Sequence, residues 1–133
     1  MIYLDTSAVL LVLLAQPGHE AVSAHLAATE DRLLSSALLE LEVFRALRRE
    51  KHALAVADTA LRMIGLCAIN DAVIDRAKAL TGELKSLDAI HLATALILHD
   101  PRDPVTVLTH DARLAKAARA QGLRALDPAE PSA

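Results

Sequence analysis

Along almost the whole chain, short apolar runs alternate with longer segments whose apolar residues recur at helical spacing. Ile2 to Leu4, Leu33 to Ser35, Leu66 to Ile69, Val105 to Leu108 and the less apolar Arg124 to Leu126 have the length and character of buried strands. The Ala- and Leu-rich stretches around them predict helices over Ser7 to Leu14, Gly18 to Thr29, Ala37 to Lys51, Ala53 to Ile64, Asp71 to Thr81, Leu87 to His99 and Ala112 to Gln121. Strands separated by helices pair in parallel, because the chain must cross back over the sheet before it can lay down another strand in the same sense. The expected class is α/β, with a central, mainly parallel sheet covered by helices on both faces. Pro128 and Pro131 mark 127–133 as a flexible C-terminal tail, which leaves 1–126 as one domain.

Composition narrows this picture. A chain of 133 residues that is 53% apolar can bury the core of one domain. The single cysteine, Cys67, rules out an intramolecular disulfide and a thiolate metal cage, and it fits a reducing cytoplasm. The apolar run Ala8 to Ala15 follows Asp5 and no basic residue, which is wrong for a signal peptide, and it is too short to cross a membrane. A net charge of −3 excludes nucleic-acid binding through bulk positive charge, although cations bound by the acids would offset part of it. Basic residues cluster at Arg45, Arg48, Arg49 and Lys51 and at Arg113, Lys116 and Arg119, as solvated helix faces do. With Tyr3 and Phe44 the only aromatic residues, no base-stacking platform can be built.

Chemistry concentrates in carboxylates at strand ends. Asp5 closes the first strand where the chain turns into a helix, the edge at which parallel sheets bind ligands, and Asp111 repeats that placement after Val105 to Leu108. Either could equally be an ordinary helix cap. Asp88 opens a helix that is apolar on nearly every side, where an ionised carboxylate calls for a partner or, failing that, gains from the helix dipole. His91, one turn further, reads as a hydrogen-bonded core histidine. Periodicity leaves Glu40 and Glu42 undecided: one neighbours Phe44 and Leu47, the other lies on a stripe with Leu39, Val43 and Ala46. Converging carboxylates without Cys or paired His make an all-oxygen site for Mg²⁺, with Mn²⁺ as a substitute. The six histidines show no zinc-type spacing. No P-loop, glycine-rich dinucleotide turn or G-x-S-x-G elbow occurs.

Four motifs in series resemble those of PIN-domain nucleases: Asp5-Thr6-Ser7-Ala8, Ser36-Ala37-Leu38 leading to Glu42-Val43-x-Arg45, Leu87-Asp88-Ala89-Ile90-His91-Leu92-Ala93-Thr94-Ala95, and Thr109-His110-Asp111-x-x-Leu114. They are most similar to the VapC toxins of bacterial toxin–antitoxin pairs. The resemblance covers essentially the whole chain and implies a three-layer α/β/α PIN-like domain. It selects Glu42, six residues after Ser36, makes Asp111 the fourth acid, gives Ser7 a supporting role beside the carboxylates and assigns nothing to His110. The implied activity is metal-dependent endonucleolytic cleavage of RNA, with Mg²⁺ held by Asp5, Glu42, Asp88 and Asp111 and a metal-activated water as nucleophile. Implied partners are a VapB-like antitoxin that blocks the acidic pocket, often with a basic side chain, and a second copy in a homodimer; no membrane is implied.

Two other readings start from the same residues. In a phosphatase of haloacid-dehalogenase type, Asp5 would attack phosphorus itself, but that class carries a second Asp where this chain has Ser7. A non-catalytic PIN-like interaction module would use the acidic pocket for docking alone, and four intact acids argue against it.

Overall fold

The computed structural model describes residues 1–130. Five strands, β1 (Ile2–Leu4), β2 (Leu33–Ser36), β3 (Gly65–Cys67), β4 (Thr106–Leu108) and β5 (Arg124–Leu126), form one sheet in the order β3-β2-β1-β4-β5. Every pairing in it is parallel. The helices are α1 (Thr6–Leu13), α2 (His19–Ala28), α3 (Ala37–Arg49), α4 (Ala55–Leu61), α5 (Asp71–Ala79), α6 (Ser86–Leu98) and α7 (Ala112–Ala120).

Alternation along β1 divides the core in two, because successive strand side chains point to opposite faces. Ile2 and Leu4 pack with Ala8, Val9 and Leu11 of α1, Val22 of α2 and Leu39, Val43 and Leu47 of α3. Tyr3 faces the other layer, with Leu92 and Ala95 of α6 and Leu114 and Ala118 of α7. α6 carries five buried residues in succession, His91 to Ala95, as its apolar sequence predicts.

Expected and observed boundaries differ mostly at helix ends. α3 stops at Arg49 rather than Lys51 because Lys51 adopts a left-handed φ of 57°. His52 N then donates to Leu47 O and Lys51 N to Arg48 O, which closes the helix. Ala15, with φ 49°, ends α1 in the same way. α4 is shorter than Ala53 to Ile64, for Leu54 makes no side-chain cap and the chain must be released to pair Gly65 with Leu34. β3 ends at Cys67, not Ile69, since its partner β2 runs out at Ser36.

The segment set aside as a tail begins at Asp127, and its first residues are held. Ala129 packs against the α1–α2 side of the core, and Asp127 Oδ2 lies 2.8 Å from His110 Nδ1. Pro131 to Ala133 lie outside the described residues.

Candidate active site

β1 sits at the centre of the sheet, with β2 on one side and β4 on the other, so the chain leaves it in opposite directions and opens a crevice beyond the strand ends. Asp5 follows β1 there. It stands at the N-cap of α1, but its side chain caps nothing. Instead, Oδ2 accepts hydrogen bonds from Ser7 Oγ at 2.6 Å and from Thr109 Oγ1, just past β4, at 2.8 Å. Oδ1 accepts no hydrogen bond from the described residues and lies 3.8 Å from His91 Nε2. No sealed side-chain nitrogen or oxygen among the described residues lacks a partner, so Oδ1 keeps some contact with solvent. Backbone donors lock this loop in place: His110 N bonds Ser7 Oγ at 2.9 Å and Asp111 N bonds Thr109 Oγ1 at 3.0 Å.

Glu42 arrives from α3, whose first turn is capped by Ser36 Oγ accepting from Leu38 N at 3.0 Å. Its Oε1 accepts from Thr6 Oγ1 at 2.6 Å and from His91 Nε2 at 2.8 Å. Burial works to raise this carboxyl, but the bonds from His91 and Thr6 outweigh it and hold the group below the usual range. Glu40 is exposed and lines a separate shallow cleft with Asp58, Leu61, Arg62 and Leu66, so geometry separates two glutamates that periodicity could not. His91 is the expected hydrogen-bonded core histidine, 1% exposed, with Nδ1 2.8 Å from Tyr3 Oη.

Asp88, in the first turn of α6, is half-buried and accepts no hydrogen bond from the described residues. Burial pushes its carboxyl up, and the like charges of Asp111, Asp5 and Glu42 push it further, with only His91 opposing. The four acids therefore share one electrostatic neighbourhood. Asp111 does cap α7, its Oδ1 accepting from Arg113 N at 2.9 Å and Leu114 N at 3.4 Å, so capping and membership of the cluster are not alternatives.

A common pattern emerges. In Asp5, Glu42 and Asp111 one carboxylate oxygen is saturated by two donors and the other accepts nothing from the described residues. Such an oxygen set, with no thiolate and with its one histidine already bonded, suits a hard divalent cation. Among the described residues no three His, Cys, Asp or Glu side chains are drawn together as a ready-made cage. Uncompensated carboxylates repel one another, as the raised pKa of Asp88 reflects, and a cation's charge would offset that repulsion. Reasoning from sequence missed Thr6 and Thr109 as donors to these acids. Both stand beside quoted acids, but their partners lie across the fold.

Residues 2–120 match the model of the PIN domain. "Ribonuclease VapC46" of Mycobacterium tuberculosis is 36% identical over 129 residues, covering 96% of this chain and 97% of the relative. A toxin–antitoxin complex from Klebsiella pneumoniae aligns with TM-score 0.72 at 22% identity, covering 96% of this chain and 98% of that one. VapBC-1 from nontypeable Haemophilus influenzae gives TM-score 0.72 at 15% identity, covering 98% and 100%. At these identities the two structures speak for the fold.

Proposed function

The chain belongs to the PIN-domain family, among its VapC-type ribonucleases, and from that membership we propose that it is a divalent-metal-dependent endoribonuclease, the toxin of a VapBC-type pair. The observation that carries this reading is the set of half-saturated carboxylates: among the described residues, Asp5, Glu42 and Asp111 each have one oxygen bound to the protein and one without a donor, beside an Asp88 that has none. Asp5, Glu42, Asp88 and Asp111 would hold Mg²⁺, for which Mn²⁺ substitutes. Bound there, the ion supplies a nucleophilic water near neutral pH and offsets charge on the phosphate under attack. The protein's own part is positioning. Ser7 and Thr109 orient Asp5, and Thr6 and His91 orient Glu42. Ser7 also occupies the place where a haloacid-dehalogenase-type phosphatase keeps its second acid, and it spends its proton on Asp5, which leaves that chemistry without an acid/base.

Relatives of this fold are found in toxin–antitoxin complexes, and we assign this chain a VapB-like antitoxin that covers the acidic crevice. A homodimer is part of the same reading.

The test is cleavage of labelled cellular RNA by purified protein with Mg²⁺ or Mn²⁺. Asp5→Ala and Asp88→Ala each lower the rate by about 100-fold or more while the fold persists. Glu42→Ala is severely impaired and Glu40→Ala stays near wild type. Undiminished, metal-independent cleavage by Asp5→Ala would sink the reading. A wild-type protein that binds no Mn²⁺ and cuts no RNA would point to a docking module instead.

A further inference from the structure

Glu42 keeps 25% of its side chain exposed, so water can reach it, yet a buried imidazole reaches out to it. We propose that His91, held by Tyr3, is a positioning residue that commits one oxygen of Glu42 to the protein and thereby presents the other to the divalent ion. The inference rests on the metal-site reading above.

Hydrogen-bond logic fixes the roles. A carboxylate only accepts, so at 2.8 Å from Glu42 Oε1 the His91 Nε2 must carry its proton. Nδ1 stands 2.8 Å from Tyr3 Oη, so the ring is held from its other side as well. Tyr3 is itself fully buried in β1 and its phenol is pushed far up by burial, so that proton stays in place. Rotating the ring by half a turn would put carbon where each nitrogen now stands and strand both partners. Tyr3, His91 and Glu42 thus form a hydrogen-bonded chain whose last link, Nε2–H to Oε1, ends on the acid. Thr6 adds the second donor to the same oxygen, and its Oγ1 lies 3.1 Å from Nε2.

The placement also couples two acids. His91 lies one turn after Asp88 on α6, so the helix that carries one carboxylate sets the direction of another, on α3. If the helix shifts, both move together. A histidine kept only for packing would need no contact with a partly exposed side chain, since leucine fills a comparable space without a buried polar group to satisfy.

Mn²⁺ binding, followed by the electron paramagnetic resonance of the free ion, separates the roles. His91→Leu weakens Mn²⁺ binding by about 10- to 100-fold, the range typical of groups that orient a ligand. His91→Gln, whose amide can still donate from near the Nε2 position, recovers most of it. If folded His91→Leu binds Mn²⁺ as wild type does, the proposal is overturned while the nuclease reading stands. Wild-type protein that binds no Mn²⁺ overturns both. Should His91→Leu fail to fold, Tyr3→Phe, which removes only the hydroxyl that fixes the ring, decides: weaker Mn²⁺ binding is expected and unchanged binding is fatal. ¹⁵N spectra of the wild type supply a direct check, with Nε2 protonated as the expected state and a bare Nε2 ruling the chain out.

Discussion

Asp88 is half-buried, accepts no hydrogen bond from the described residues and faces three other carboxylates, so its ionised form works against folding in metal-free protein. Its pKa is raised in the folded state, so the stability it contributes is fully present below the unfolded value and is lost as pH rises through the folded one. Glu42 has the opposite sign: its pKa is lowered, and its contribution is present above the unfolded value and lost as pH falls through the folded one. Melting curves with chelator across the acid-to-neutral range should show both. Asp88→Asn should gain on wild type as pH rises, and Glu42→Gln should lose on it over the same range; identical pH profiles would contradict this account. Asp5 and Asp88 were legible in the sequence because a charged group at a strand end or on a core helix is conspicuous. Thr109 was not, since its bond to Asp5 spans 104 residues and leaves no local mark.

At the scale of elements, helix starts were easier to read than stops. Ser36 and Asp111 cap the helices that follow them, as their residue types predict. α7 ends where Gly122, at φ 88°, turns left-handed, and glycine there announces the stop. α1 and α3 use the same closing bonds with Ala15 and Lys51 in the left-handed position, and nothing in those side chains signals it. Lys51→Gly should therefore stabilise the protein, by about 1 kcal/mol in denaturant unfolding, because glycine relieves that strain. A loss of stability would mean that the lysine stem makes a compensating contact. The sheet's parallel sense followed from alternation alone. The central place of β1 did not, because strand order depends on which faces the helices bury.

Across the whole molecule, the core and the crevice pull on each other through charge. Helices cover the sheet on both faces, and the acids share one electrostatic neighbourhood, so the proposed cation would tie α1, α3, α6 and α7 to one point. Mg²⁺ at 100 times its dissociation constant should stabilise the native state by about 2.7 kcal/mol. A thermal melt with and without chelator checks this, and Asp5→Ala should show no such difference. The arrangement has a consequence in time as well. Synthesis delivers Asp5 early, but Thr109 and Asp111 come more than a hundred residues later, and β4 must pair with β1 before the crevice has two sides. A nascent chain therefore carries Asp5 before Thr109, one of the two hydroxyls that orient it, has been made.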